Sequence, residues 1–240
     1  MNAHVLILAT VIPFPFCLFR RKKYDISWSQ MFLIYVVFST VGAVGAMVGS
    51  AISGGSIWGQ RLYGLMLFDT VALFVMSWIL RIRPGKLGDY IAVPIMAVCF
   101  SAKILCLATG CCYGNVLYIT ETLHYVRFPS AAVEMTIWGL LVIALLFVEK
   151  NQRARYTMWP VAMIWFGAVR FIVDFFRGSN SERRIFVLGM TAGRFWSLVV
   201  LLVGLIYLYI ALRQKAAMRP RWIEYVKALI GLGNFPPNNI

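Results

Sequence analysis

The chain has 240 residues, of which 61% are hydrophobic and only 13% are charged, with a mean hydropathy of +0.78. This composition excludes an ordinary soluble domain. The formal net charge of +14 would suit nucleic acid, but most of its basic residues fall in four clusters on every second loop, at 20–23, 81–86, 150–155 and 213–227. Cytoplasmic loops of membrane proteins show this alternation, so the charge indicates topology and nucleic acid is not an expected partner.

Seven apolar stretches predict an all-α polytopic membrane protein. Since about 20 residues cross a bilayer, the predicted transmembrane helices are 4–19, 30–52, 62–80, 88–108, 131–148, 157–176 and 189–212. The basic loops then place the N-terminus outside and the C-terminus in the cytoplasm. We therefore expect a seven-helix transmembrane domain over 1–212 and a basic cytoplasmic tail over 213–240 that lies on the anionic inner leaflet.

The first apolar stretch is short and contains Pro13 and Pro15, which predict a tilt or a kink. Its basic cluster follows the apolar residues, whereas a secretory signal peptide has its basic residues in front. We therefore interpret this stretch as a helix of the mature protein.

The outer side of the predicted topology carries more cations than topology explains. They are Arg61, Lys103, Arg127, Arg170, Arg177, Arg183, Arg184 and Arg194. As a group they form a cationic constellation that can hold phosphate. The alternative for each residue alone is that its side chain snorkels to the lipid headgroups.

The sixth predicted helix carries Arg170, Asp174 and Arg177 at spacings i, i+4 and i+7, which share one helix face. An ion pair between Arg170 and Asp174 would lower the cost of burying either residue. It would leave Arg177 and part of Arg170 for an anionic ligand. A purely structural acid–base pair is the alternative interpretation.

Three further ionisable residues fall within predicted helices: Asp69, Lys103 and Glu134. Glu134 follows Pro129, which predicts a position in the first turn, where the helix dipole stabilises a carboxylate. For Asp69 the only argument is general, since ionisable residues inside membranes usually serve function.

A vicinal cysteine pair, Cys111 and Cys112, lies between Gly110 and Gly114. A disulfide between neighbouring cysteines is strained, and with only two histidines in the chain a metal site lacks ligands, so no metal is expected. Cys106 is near enough in sequence to approach Cys112, although a pairing does not follow from spacing. The glycines predict a tight turn where the backbone approaches a ligand or another helix.

Five segments resemble the prolipoprotein diacylglyceryl transferases, in order along the chain. Residues 103–114 resemble that family's signature, which begins Gly-Arg and continues through Asn-Phe to Gly-Glu-Leu-Tyr-Gly, here as Gly-Cys-Cys-Tyr-Gly at 110–114. Residues 128–134 are similar to His-Pro-Ser-Gln-Leu-Tyr-Glu, and 167–177 to Gly-x-x-Arg-Phe-x-x-Glu-Phe-Phe-Arg with Asp174 for Glu. Residues 188–198 resemble the closing Leu-Ser-x-Gly-Gln segment, and Tyr63-Gly64 stands where the family has His-Gly-Gly. The chain thus resembles a divergent branch of the family over residues 30–210.

The resemblance implies an enzyme that moves diacylglyceryl from phosphatidylglycerol to the lipobox cysteine thiol of a prolipoprotein, forming a thioether. It also implies a multi-pass protein of the bacterial plasma membrane with seven spans, an outside N-terminus and an active site on the outer side. Glycerol phosphate leaves, so cations in a low-dielectric cavity would stabilise the developing charge. No metal or redox cofactor is required.

Carried onto this chain, the resemblance implies the catalytic residues Arg170, Lys103 and Tyr63. It implies a substrate-binding set formed by Arg177, Asp174, Glu134, Cys106, Gly110, Gly114 and Arg194.

Several of these positions depart from the family pattern: Tyr63 replaces histidine, Lys103 arginine, Cys106 asparagine, Phe128 histidine and Arg194 glutamine. Lysine keeps the charge but loses the guanidinium fork. Tyrosine is a poor base at neutral pH, so a hydrogen-bonding role is expected for Tyr63. Two alternatives stay open: a related enzyme that uses another acceptor or cleaves the lipid, and a non-catalytic lipid-binding accessory protein.

Overall fold

The structure is a computed structural model that describes residues 11–54, 61–110, 112, 114–119, 125–150, 156–177 and 185–217. Within these ranges it is almost entirely helical. The helices are α1 (Pro13–Arg21), α2 (Trp28–Ile52), α3 (Leu62–Leu80), α4 (Pro84–Ala108), α5 (Ser130–Lys150), α6 (Met158–Val173) and α7 (Ala192–Ala217). Two antiparallel hairpins pair β1 (Val116–Ile119) with β2 (Tyr125–Arg127), and β3 (Ile185–Val187) with β4 (Met190–Thr191).

Five of these seven described helices are long and apolar enough to cross a membrane: α2, α3, α4, α5 and the part of α7 over Ala192–Arg213. Helix α6 is apolar but shorter, with 16 residues. The predicted all-helical class is confirmed, and the number of spans and the orientation stay predictions. Only part of the first predicted helix, and none of the tail beyond residue 217, lies within the described residues.

Local sequence signals explain where several helices begin and end. Ser27 accepts a hydrogen bond from the backbone of Gln30, whose side chain accepts one from Ser27, so α2 begins with a capping box. Helix α4 begins earlier than predicted, because Pro84 can occupy the first helical position, which needs no N–H donor. Helix α7 runs to Ala217, five residues beyond the predicted end.

Helices α2 and α3 approach each other through glycines. Gly42, Gly45 and Gly49 lie on one face of α2, and Gly45 meets Gly64 of α3. A Cβ atom on Gly64 would lie 2.1 Å from the Gly45 carbonyl oxygen, which no side chain tolerates. Small residues at such contacts allow the close packing on which helix association in lipid depends.

A buried arginine compensates for a proline inside α4. Pro94 has no N–H, so the Tyr90 carbonyl one turn earlier loses its intrahelical donor. Arg20 of α1 donates to that carbonyl at 2.7 Å and to the Asp89 carbonyl at 2.8 Å. It also pairs with Glu149 of α5 at 2.8 Å. This network joins α1, α4 and α5 at the end of the bundle predicted to face the cytoplasm.

A buried ion triad as candidate active site

Three helices converge on one buried carboxylate at the opposite end of the bundle. Glu134 lies near the start of α5, Lys103 near the end of α4 and Arg170 near the end of α6. Lys103 Nζ and Arg170 Nη1 each lie 2.5 Å from a different oxygen of Glu134. The exposed fractions are 5% for Lys103, 1% for Glu134 and 7% for Arg170, so the triad is withdrawn from solvent.

The triad has an excess of positive charge, because two cations share one carboxylate. Burying charge costs several kcal/mol per ion unless the partners are close and well hydrogen-bonded. Arg170 donates a hydrogen bond to one oxygen of Glu134, and Lys103 lies within ion-pair distance of the other. The triad then carries one formal positive charge that an incoming anion can balance. A phosphate bound beside two cations in a site of low dielectric is held more strongly than it would be in water.

The structure changes two expectations about this cluster. Among the described residues, the carboxylate that pairs with Arg170 is that of Glu134 on the neighbouring helix α5. The predicted ion pair between Arg170 and Asp174 is therefore wrong. Glu134 lies beyond the first turn of α5, where it neutralises cations of neighbouring helices and does not cap its own helix. From the sequence, Lys103 and Arg170 are associated as members of a cationic set and as catalytic residues implied by the resemblance, and Glu134 is not expected to bridge them.

Asp174 instead joins α6 to the start of α7. Thr191 Oγ1 donates to its carboxylate at 2.6 Å, and Arg194 Nε lies 3.4 Å from the same oxygen. The Arg194 guanidinium also lies over the Phe175 ring, 3.8 Å from the ring centroid. Arg194, a departure from the family pattern, therefore holds the end of α6 in this structure.

Gly114 lies where three chain segments cross. Its N–H donates to the Phe128 carbonyl at 2.9 Å, and it forms a bridge with Arg177. A Cβ atom on Gly114 would lie 2.4 Å from the Phe128 oxygen and 2.8 Å from the Phe176 oxygen. The glycine does serve a close backbone approach, but to the segments beside α5 and α6, whereas the prediction named a ligand or another helix. Gly114 connects the segments that follow α4 and α6 and precede α5.

Two thiols face a small cavity beside the triad. Cys106 and Cys112 line a volume of about 270 Å³, together with Gly110, Arg127 and others. Gly110 ends α4 with φ +65, the turn that its position predicted. Ser130 Oγ donates to the Cys112 carbonyl. Neither of these two cysteines forms a disulfide in the structure, and Cys111 lies outside the described residues.

Tyr63 has a different neighbourhood. It is 2% exposed, and its hydroxyl donates to the Gly49 carbonyl at 3.1 Å and contacts the Ser53 hydroxyl. Its ring stacks on Trp196 of α7, with centroids 6.1 Å apart and planes at 12°. Tyr63 thus joins α2, α3 and α7, and its hydroxyl contacts groups of the protein itself. A hydrogen-bonding role of Tyr63 toward substrate stays a prediction. Nothing in the spacing of the sequence pointed to Ser53 or Trp196.

These observations define a multi-pass membrane protein with a buried cationic site at one end of its helix bundle. The chain belongs to the prolipoprotein diacylglyceryl transferase family, whose profile matches residues 5–210.

Named relatives agree with this assignment. The phosphatidylglycerol–prolipoprotein diacylglyceryl transferase of Acinetobacter baylyi is 23% identical over 238 residues, 82% of each chain. That of a Wolbachia strain from Brugia malayi is 26% identical over 178 residues, 72% of this chain and 62% of the relative. That of Acidiphilium cryptum is 26% identical over 180 residues, 67% of this chain and 65% of the relative.

Proposed function

We propose that this protein transfers diacylglyceryl from phosphatidylglycerol to the cysteine thiol of a prolipoprotein at the outer face of the bacterial plasma membrane. The observation that carries the proposal is the Lys103–Glu134–Arg170 triad, which places two cations on one buried carboxylate in a chain of this family. The relatives that the chain matches carry this activity in their names.

The chemistry requires one bond to form and one to break. The acceptor sulfur attacks the glyceryl carbon that bears the phosphate, a C–S bond forms, and the C–O bond to glycerol phosphate breaks. The thiol proton passes to the departing phosphate or to a nearby base. Negative charge gathers on phosphate oxygens during this step, and preorganised cations stabilise it without reorganisation.

Arg170 and Lys103 are proposed as the catalytic cations. Arg170 brings a planar set of donors suited to phosphate, whereas Lys103 acts as a point charge. Glu134 is proposed to position both, since its two oxygens contact one cation each. Tyr63 is proposed to orient the phosphate or acceptor by hydrogen bonding, and its stacking on Trp196 restricts its ring.

The remaining predicted residues are proposed to shape the substrate site. Asp174 and Arg194 hold the junction of α6 and α7, and Gly114 and Arg177 hold the crossing of three segments. Cys106 and Gly110 form part of the wall of the 270 Å³ cavity, which we propose admits part of the acceptor.

We further propose seven spans, an outside N-terminus, an outward-facing site and the 213–240 segment as a cytoplasmic tail. In support, the triad and both hairpins lie at one end of the bundle. The Arg20–Glu149 pair and the basic segments 20–23 and 81–86 lie at the other end. The positive-inside rule assigns the second end to the cytoplasm.

The decisive experiment is mass spectrometry of products after incubation of the purified protein with phosphatidylglycerol and a lipobox peptide. We expect a peptide heavier by one diacylglyceryl group, and none with Arg170→Ala. Lys86→Ala, on the predicted cytoplasmic side, is the matched control and should leave the product unchanged. Lipid turnover without peptide modification would instead support a different acceptor, and binding without turnover would support an accessory protein.

A further inference from the structure

An apolar crevice runs along the membrane-spanning helices on the flank of α4 next to Lys103. It extends from Ile91 to Leu105 of α4, 14 residues or about 21 Å at the helical rise. Residues of α1, α2 and α3 line the rest, and Tyr35, Ser39 and Asp69 are its polar members. The hydrocarbon of one leaflet is about 15 Å deep, so the length and apolar lining of the crevice match those of an acyl chain. The crevice encloses about 70 Å³, so a bound chain lies along its open side and widens it.

The crevice opens to the side. Tyr35, Ser39 and Ala43 follow one another along α2 and are only half-buried, as are Ala102 and Leu105 on α4. Both helices are long and apolar enough to cross a membrane. A chain can therefore enter from the surrounding lipid without crossing the protein.

Asp69 places one unsatisfied polar group in this apolar surface. It is 1% exposed, and its Oδ1 atom has no hydrogen-bond partner among the described residues. Gly42 provides the space for it, since a Cβ atom there would lie 3.0 Å from both carboxylate oxygens. A buried polar atom without a partner costs about 1–3 kcal/mol, so such an atom is expected to meet one in function.

The depth of Asp69 relates it to the triad. Counted from the hairpin end of each helix, Lys103, Glu134 and Arg170 lie three to five residues in, or about 5–8 Å. Asp69 lies seven residues into α3, or about 10 Å. Asp69 and Ala102, the residue beside Lys103 on α4, line the same crevice. Asp69 is thus deeper in the bundle than the triad, in the direction in which the ester groups of a glycerophospholipid lie relative to its phosphate.

We infer that the crevice binds an acyl chain of the glycerophospholipid and that the Asp69 carboxyl hydrogen-bonds an ester carbonyl of that lipid. The inference rests on the proposed function, because it takes the triad as the phosphate site. In its protonated form the carboxyl donates one O–H, and an ester carbonyl accepts it. Asp69 is then a positioning residue that sets the height of the glycerol relative to the triad.

The test compares two lipids that differ only in the ester carbonyl, which is the proposed hydrogen-bond acceptor of Asp69. Phosphatidylglycerol with ester-linked chains and its diether analogue of equal chain length compete for the purified protein, and native mass spectrometry measures the bound ratio. We expect a preference for the ester lipid of about fivefold, the worth of one hydrogen bond. Asp69→Asn keeps a donor and should keep the preference, whereas Asp69→Leu should abolish it while unfolding at the same or a higher temperature.

A second pair of variants tests the crevice itself. Ala43→Phe fills it and should weaken the binding of both lipids, whereas Val44→Phe, on the exposed face of the same helix, should not. An ester preference absent from the wild type or retained in Asp69→Leu overturns the inference, as does unchanged binding in Ala43→Phe. Peptide transfer measured on the same samples separates the two proposals. Transfer without ester preference overturns this inference alone, and ester preference without transfer overturns the proposed function alone.

Discussion

Replacing Glu134 by glutamine leaves two buried cations facing each other across a neutral amide. In the wild type, Lys103 Nζ and Arg170 Nη1 lie 2.5 Å from the two oxygens of one carboxylate. The cations are therefore about 6 Å apart, and at an effective dielectric of about 20 their repulsion is about 3 kcal/mol. Removing one partner from a buried ion pair costs about 3–5 kcal/mol, which agrees. For a chain of this length the melting temperature should fall by about 10 °C.

The assay is thermal unfolding of the purified protein in detergent, with and without glycerol phosphate, the proposed leaving group. Its phosphate can replace the lost carboxylate, so it should restore more stability to Glu134→Gln than it adds to the wild type. Glu149→Gln is the matched control. Glu149 lies on α5, as Glu134 does, but at the other end of the bundle, where the substitution breaks its buried pair with Arg20 of α1. This variant should lose stability and gain no special rescue by the anion.

Two results would refute this reasoning. An unchanged melting temperature in Glu134→Gln would show that the carboxylate does not hold the cations together. Equal rescue of Glu134→Gln and Glu149→Gln would show that the anion does not bind at the triad.

Four further outcomes are expected. Arg170→Ala should abolish transfer and Arg170→Lys should leave little, because lysine lacks the paired donors of the guanidinium group. Full turnover by Arg170→Ala in the product analysis would exclude Arg170 as a phosphate ligand. Lys103→Ala should raise the activation free energy of transfer by about 3–4 kcal/mol, the effect of losing one oxyanion donor. Lys103→Arg should retain transfer, and Tyr63→Phe should raise the barrier less than Lys103→Ala does. Steady-state rates of the three variants test this order, and a fully active Lys103→Ala protein would contradict it. Gly114→Ala should lower the melting temperature and the transfer rate together, because its Cβ atom would lie 2.4 Å from the Phe128 carbonyl oxygen. Wild-type values for both would show that the contact of the three segments at Gly114 does not require a glycine. Single cysteines placed in loop 81–86 should react with a membrane-impermeant thiol reagent only after the cells are opened, and labelling in intact cells would reverse the topology.

The membrane class of the protein was readable from sequence because it depends on local composition. Each apolar stretch must satisfy its backbone internally in lipid, and only a helix does so within one segment. The boundaries of α2, α3 and α5 follow to within two residues from the length of the apolar stretches and the position of the charged loops. The turn at Gly110 was likewise predictable, since glycine there serves a positive φ. At Gly114 the glycine serves a close backbone approach.

The pairing of charges was decided only by the tertiary structure. Spacing along α6 favoured Arg170 with Asp174, but helix packing brought Glu134 within 2.5 Å of Arg170 and Lys103, and Arg194 to Asp174. A helix face defined by i and i+4 says which side chains point the same way, and it does not say which neighbouring helix meets that face. In lipid a buried cation takes the nearest carboxylate that packing offers, so partners from three helices assembled the triad. The crevice beside Asp69 arose in the same way, from the shapes of four packed helices.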